Sequence, residues 1–387
     1  MEVGSWIRRM FEEGIKMKQE FGAENVIDLS LGNPVMDPPK EFFQAIRNLV
    51  DNPIKGQHGY MENAGYPATR QAVADQLTKE TGVKLTARNI IMACGAAGAI
   101  NVALKTILDP GDEVIVFLPW FVDYFNYVEN HDGVVKVVPC DEDFLPRLDE
   151  LEKAVNARTK AVLINSPNNP TGVVYSADFM TRMAAILRKK EAEHGHPIFI
   201  VSDEPYKKII YDGLTYPSPL CFHKHSIIAT SHSKDLSVAG ERIGYIALHP
   251  EATDHDDLIV GFTFCTRTLG FINAPAFMQN VVRGLQDVSI NVAEYQRHRD
   301  FIYNHLKRLG YTVNKPQGAF YIFPRTPIED DVAFVHELQR EHHLLTVPGV
   351  AFGTPGYFRL VYCVTGELLE AAIPGLEAVA KKYGLMR

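Results

Sequence analysis

No stretch of this sequence is apolar for long enough to cross a bilayer as a helix, and that absence removes the transmembrane-helix class. Positive charge is also short: 39 Lys and Arg stand against 47 Asp and Glu, the net charge is -8, and no basic block stands out. Following a phosphate backbone needs clustered cations, so a nucleic-acid surface is argued against. Cysteine is scarce. The five present (Cys94, Cys140, Cys221, Cys265 and Cys363) are scattered, odd in number and never spaced as CxxC, which suggests neither a disulfide framework nor a zinc site. A reducing compartment is expected. Internal repeats, low-complexity tracts and flexible linkers are missing as well. The opening segment, Met1 to Gly22, sets Trp6, Ile7, Met10, Phe11 and Ile15 at helical spacing, with Glu12, Glu13 and Glu20 interrupting. It reads as an amphipathic helix and meets the requirements of neither a secretory signal nor a transit peptide, so a cytoplasmic location is expected.

What is there is length and apolar content: 387 residues, 46% hydrophobic, too long for one compact core. Seven short β-rich runs occupy the middle: Ile90 to Ala93, Val114 to Leu118, Val134 to Val138, Ala161 to Asn165, Phe199 to Ser202, Ile227 to Thr230 and Ile243 to Ala247. They are apolar without alternation, and most are separated by helix-length intervals. That pattern predicts an α/β fold, a mainly parallel seven-stranded sheet covered by helices on both faces, with ligands at the carboxyl ends of the strands. From about Pro275 a long helical stretch is predicted through Leu309, then a strand-helix-strand region ending in Tyr357 to Val364, as a second, smaller α+β domain.

Several strand ends carry chemistry. Lys234 lies on a hydroxyl-rich loop, Ser231-His232-Ser233-Lys234, with Arg242 eight positions on. An amine there suits a Schiff base beside a phosphate, although a lone lysine reads first as a solvated surface charge. Cys94-Gly95-Ala96-Ala97-Gly98 feeds a helix N-terminus, where backbone N–H groups can hold a phosphate; the same small residues also serve a plain tight turn. Pro119-Trp120-Phe121 offers a ring for stacking or for core packing. Asn165-Ser166-Pro167-Asn168-Asn169-Pro170-Thr171-Gly172 fixes its backbone with two prolines and a glycine while presenting amides. Asp203, in Ser202-Asp203-Glu204-Pro205-Tyr206, sits where an apolar strand meets its loop and must find a partner or stay protonated.

In that order and at those separations, these motifs resemble the class I and II pyridoxal-phosphate-dependent aminotransferases of fold type I. The resemblance runs from Leu29-Ser30-Leu31-Gly32-Asn33-Pro34 to Tyr357-Phe358-Arg359-Leu360 and covers nearly the whole chain. It implies transfer of an α-amino group from an L-amino acid to a 2-oxo acid by a ping-pong cycle. It also implies pyridoxal 5'-phosphate as cofactor and a homodimer with shared active sites. The domains implied are a large one over residues 46–275 and a small one from residues 1–45 and 276–387.

Position by position, the resemblance makes Lys234 the cofactor lysine and proton carrier, Asp203 the partner of the pyridine nitrogen, and Asn169 and Tyr206 the donors to the phenolic oxygen. Gly95, Ala96 and Ala97 supply N–H groups to the phosphate, with Ser231, Ser233 and Arg242 as side-chain ligands and Tyr60 reaching the neighbouring subunit's phosphate. Many relatives carry a hydroxyl or a lysine where Ala97 stands, so that contact is expected through backbone alone. Phe121, counted from Pro119, takes the stacking position. Arg359 matches the clamp on the substrate carboxylate, with Asn169 and the Gly32 backbone nearby. Arg267 lies near the position of a second, side-chain-reading arginine and is equally an ordinary loop arginine. A carbon-sulfur β-lyase or a cyclopropane-forming synthase on the same scaffold stays open. The effector domain of a transcription regulator is disfavoured, since only about a helix's worth of residues precedes Leu29. No metal is expected, and His223, His225, His342 and His343 are expected at the surface.

Overall fold

The computed structural model describes residues 6–386, with side chains from Glu12 onward. The opening helix is α1 (Trp6–Phe21); the side chains of Trp6, Ile7, Met10 and Phe11 lie outside the described residues. Then come β1 (Ile27–Asp28), α2 (Lys40–Asp51), α3 (Pro67–Thr81), β2 (Ile90–Ala93), α4 (Gly95–Ile107), β3 (Glu113–Phe117), α5 (Tyr124–Glu129), β4 (Val134–Val138), α6 (Leu148–Ala154), β5 (Thr159–Asn165), α7 (Ala177–His194) and β6 (Phe199–Asp203). The second half holds β7 (Ser226–Ser231), β8 (Gly244–Leu248), α8 (His255–Thr268), α9 (Ala276–Val282), α10 (Val292–Arg308), β9 (Tyr321–Ile322), α11 (Asp331–His342), β10 (Leu344–Leu345), β11 (Val347–Pro348), β12 (Phe358–Val361) and α12 (Gly366–Lys382).

All seven expected strands join one sheet, in the order β2-β8-β7-β6-β5-β3-β4. Every pairing is parallel except those of β8, which runs antiparallel to both neighbours. The reason is written in burial: β2, β3, β6, β7 and β8 are buried at every residue, as a sheet covered on both faces requires. Only the edge strand β4 shows exposed valines, Val134 and Val137. Register places Asn165 opposite Asp203 and Asp203 opposite Ala229, so the polar ends of three neighbouring strands emerge side by side.

One core lies between a face of this sheet (Ile115, Val162, Ile200) and the C-terminal elements, including Phe320, Phe358 and Leu376. On the opposite face α4 and α8 pack over Val116, Leu163 and Ala229. A third cluster joins Phe42 and Leu49 of α2 and Met278 and Val281 of α9 to Ile90 and Ile228 of the sheet. The small sheets are β1-β10 and β11-β12-β9.

The single helix expected from about Pro275 to Leu309 is instead two, α9 and α10, separated by residues 283–291. Gly284, Asp287, Ser289 and Asn291 are poor helix formers, and Leu285 and Ile290 are buried as loop residues. Helix α12 extends the chain beyond the last expected strand, capped by the Thr365 hydroxyl accepting from Leu368 N–H.

Two histidines expected at the surface are buried. His223 and His225 lie at the amino-terminal end of the sheet, against Glu191 of α7. Nδ1 of His225 meets Glu191 Oε1 at 2.5 Å and its Nε2 meets Thr253 Oγ1 at 2.9 Å, while His223 Nε2 lies 3.0 Å from the Ile198 carbonyl. One ligand atom from each of Glu191, His223 and His225 lies within 4.8 Å of the other two. Protein hydrogen bonds already engage all but Nδ1 of His223. His342 and His343 are half-buried.

Candidate active site

The carboxyl ends of β3, β5, β6 and β7, the start of α4 and the loop after β1 surround a cavity of about 750 Å³. Of the residues singled out from sequence, Gly32, Ala96, Ala97, Phe121, Asn169, Asp203, Tyr206, Ser231, Ser233, Lys234, Arg242 and Arg359 line it. Gly95 sits directly behind Ala96 with φ of +75°, and a β-carbon there would lie 2.7 Å from Arg242 Nη2. Only glycine serves at this point, because both the left-handed backbone and the close guanidinium exclude a side chain. Trp120 faces away, packed on Phe125. Tyr60 is outside the cavity and 93% exposed. Arg267 belongs to the last turn of α8 rather than to a loop, and is exposed.

Lys234 reaches into the cavity and donates from Nζ to the Gly32 carbonyl at 2.6 Å. Enclosure pushes its amine down to about 8, and the nearby guanidiniums of Arg242 and Arg359 push the same way. Asp203 closes the floor. Its Oδ2 accepts from the Tyr124 hydroxyl at 2.7 Å, and its buried Oδ1 has no partner among the described residues. Burial lifts this carboxyl to about 7, with the Tyr124 bond opposing. Asn165 braces the floor, donating to the Asp203 carbonyl at 3.0 Å and accepting from the Asn169 N–H at 2.7 Å.

Arg359 is buried in β12 between two rings, its guanidinium carbon 4.8 Å from the Tyr321 centroid and 5.0 Å from that of Phe352. It donates to Asn169 Oδ1 at 3.0 Å and to the Ser30 carbonyl, while its buried Nε has no partner among the described residues. Tyr206 and Tyr321 share a hydroxyl contact of 2.7 Å. Tyr321 also explains Gly32: any side chain there would run into its hydroxyl.

Sequence reasoning passed over Tyr124, Asn165 and Tyr321. Asn165 was within a quoted motif but was read only as its start. Tyr124 stands three positions past Phe121, and Tyr321 follows Gly318-Ala319-Phe320; neither neighbourhood announces which carboxylate or hydroxyl it will meet.

The electrostatics of the cavity are one-sided. Lys234, Arg242 and Arg359 all face it, and among the described residues no carboxylate forms an ion pair with any of them. Two carboxylates, Asp123 and Asp203, also line the cavity, and among the described residues Asp203 Oδ1 has no partner. Buried charges normally find partners, so this arrangement suits a ligand that brings two anionic ends and one cationic or protonated nitrogen. Pyridoxal phosphate with an amino acid has that charge distribution. The phosphate would meet Arg242 and the N–H groups at the start of α4, the ring nitrogen Asp203, and the carboxylate Arg359.

The model of the family "Aminotransferase class I and II" matches residues 24–376. Among curated proteins, the chain is 35% identical over 356 residues to a probable aspartate aminotransferase of Methanocaldococcus jannaschii, covering 90% of this chain and 91% of that protein. It is 33% identical to aromatic-amino-acid aminotransferase 2 of Thermococcus litoralis, covering 94% of each. Among solved structures, an aminotransferase from Eubacterium rectale superposes with a TM-score of 0.94 at 37% identity, covering 97% of this chain and 95% of that one. Thermus thermophilus aspartate aminotransferase with maleate gives 0.86 at 28% identity, covering 97% and 96%.

Proposed function

The chain belongs to the class I and II aminotransferases, a pyridoxal-phosphate-dependent family, and from that premise we propose that its own cavity binds pyridoxal 5'-phosphate through the residues described above. The observation that carries this reading is the set of three unpaired cations facing one orphaned carboxylate oxygen. When bound, the cofactor supplies the electron sink that makes the proton on the substrate Cα acidic. The protein's part is to hold and move. Lys234 would hold the cofactor through its amine and, once freed by the substrate amine, would take the proton from the substrate Cα and carry it to the cofactor carbon; its lowered basicity keeps a useful neutral fraction near neutral pH. Asp203 would keep the ring nitrogen protonated. Asn169 Nδ2 and the Tyr206 hydroxyl would donate to the phenolic oxygen, Phe121 would cover the ring face, and Ser231, Ser233 and Arg242 would hold the phosphate with Gly95, Ala96 and Ala97. Arg359 fixes the substrate carboxylate, with Asn169 and Gly32 completing that end. A first amino acid leaves as its oxo acid before a second oxo acid enters.

The working unit in this reading is a cytoplasmic homodimer. Val260, Phe264 and Arg267 project from one exposed face of α8, and exposed Tyr60 is free to complete a partner's phosphate site. The relatives are named for aspartate, prephenate and aromatic amino acids, and a panel of L-amino acids decides among these for this chain. Purified protein loaded with pyridoxal phosphate is mixed with each one, and the cofactor's visible absorption, oxo-acid formation and ammonia release are followed. Transamination gives one equivalent of oxo acid without ammonia. Pyruvate and ammonia from cysteine-type substrates alone would overturn it.

A further inference from the structure

Next to the cavity, sharing Pro205 and Ser231 with its wall, lies a buried charge cluster that the proposed chemistry does not use. Lys208 stands two residues after Tyr206, and its side chain is 16% exposed. Its Nζ lies 3.0 Å from Asp235 Oδ2, 2.7 Å from the Gln286 carbonyl and 3.0 Å from the Val288 carbonyl. Three acceptors match the three N–H groups of an ammonium, so the cation is fully satisfied. Asp235 directly follows Lys234 in sequence. Its Oδ2 also meets His232 Nδ1 at 3.2 Å, and its backbone carbonyl accepts from Ile290 N–H at 2.8 Å. One amine thus adds a shared side-chain anchor to three segments: the stretch after β6 that carries Tyr206, the loop carrying Lys234, and the irregular stretch between α9 and α10.

We propose that Lys208, acting through Asp235, is a positioning residue that holds Lys234 in register with Asp203 and Tyr206. The physical case has two parts. Lys234 rides on a loop, and a loop places a long side chain accurately only if its backbone is pinned. The pin is a buried ion pair, whose rupture by removal of one partner leaves an uncompensated charge and forces the neighbouring backbone to rearrange. A burial-driven alternative, in which the pair only stabilises the fold, predicts different kinetics.

The inference rests on the reading of Lys234 as the amine that captures the cofactor. The test therefore includes a measurement made without cofactor. Lys208→Met, Lys208→Arg and Asp235→Asn are compared with the parent protein for melting temperature, for kcat and KM, and for the rate at which borohydride traps pyridoxal phosphate on Lys234. Hydrogen exchange of residues 232–243 and 283–291 is measured on the cofactor-free proteins. With Lys208→Met, kcat is expected to fall by about ten- to a hundredfold with little change in KM, as for a displaced catalytic group. Trapping slows with it, exchange rises in both segments, and Lys208→Arg recovers most of the loss. Asp235→Asn should reproduce the exchange pattern, and it serves alone should Lys208→Met fail to fold. A Lys208→Met protein that melts lower but keeps its kcat and trapping rate, or unchanged exchange in the two segments, would overturn the proposal. Failure of the parent protein to trap cofactor at Lys234 would instead overturn the cofactor reading.

Discussion

Replacing Asp203 by asparagine in the cofactor-free protein examines the electrostatics of the site through stability alone. The variant keeps the shape and can still accept from Tyr124, but it cannot ionise. In the native chain burial lifts this carboxyl from 3.8 to about 7. A carboxyl raised in this way keeps its proton when folded, over a range where the unfolded chain has already lost it. Its stabilising contribution is therefore complete below the unfolded value and is lost as pH rises to the folded one. Between about pH 5 and about pH 8 the parent protein should lose about 2–3 kcal/mol relative to Asp203→Asn. Glu204, also lifted to about 7 by burial, titrates in both proteins and cancels. So does any cost of the unmatched amide, which does not change with pH. At about 2 cal/mol/K of unfolding entropy per residue, the difference corresponds to about 3 °C in Tm. Thermal melts of the two cofactor-free proteins across that range provide the assay. The variant should gain steadily on the parent as pH rises, and pyridoxal phosphate should stabilise the parent more at the upper end. Melting temperatures that stay parallel across the range would refute the argument that a buried, half-satisfied carboxyl forms the floor.

Changing Lys234→Ala should eliminate the borohydride-stable link to the cofactor, read by intact-mass spectrometry; a surviving link would move the role to another lysine. The rate of covalent capture by the cofactor-free protein should rise with pH and reach half its maximum near about 8, where Lys234 loses its proton; a midpoint near the ordinary 10.5 of lysine would contradict its enclosure. Arg359→Lys should lower kcat/KM about a hundredfold for every amino acid, because the planar fork and its charge-assisted bonds are lost. A loss confined to one substrate would assign Arg359 to the side chain. Glu191→Ala should lower Tm while leaving kcat and KM unchanged. Burial opposes ionisation of Glu191, but bonds from His223 and His225 outweigh it and hold the carboxyl at about 2. A depressed carboxylate stabilises above its unfolded value and loses that contribution as pH falls toward about 2.

The central sheet was legible because a strand covered on both faces has little room for polar residues, and such apolar runs stand out against their helical intervals; the edge strand β4, with Lys136 and exposed Val134 and Val137, was legible by its valines alone. The residues of the cavity were legible for a related reason: Asp203 ends β6, and Asn169 and Lys234 lie in the loops just after β5 and β7, where polar groups interrupt apolar runs. Other features depend on what a segment meets in three dimensions. His223 and His225 look like surface residues until Glu191, about thirty residues earlier, is brought against them. Periodicity continues through residues 283–291, yet Ile290 bonds to Asp235 instead of to its own helix. Tyr124 and Tyr321 likewise acquire their meaning from distant partners, Asp203 and Tyr206.

The loop after β1 has a consequence for when the enzyme can first exist. Ile27 and Asp28 pair with Leu344 and Leu345, and Leu29 is hydrogen-bonded to both Leu345 and Val361. The same loop supplies the Ser30 carbonyl to Arg359 and the Gly32 carbonyl to Lys234. During synthesis the sheet and Lys234 emerge long before the strands that seat this loop. A nascent or prematurely terminated chain thus carries Lys234, Asp203 and Arg242 without a closed cavity. Catalytic competence arrives with the last strands, by joining nearly opposite ends of the polypeptide, a closure of high sequence separation that is among the slower events of folding.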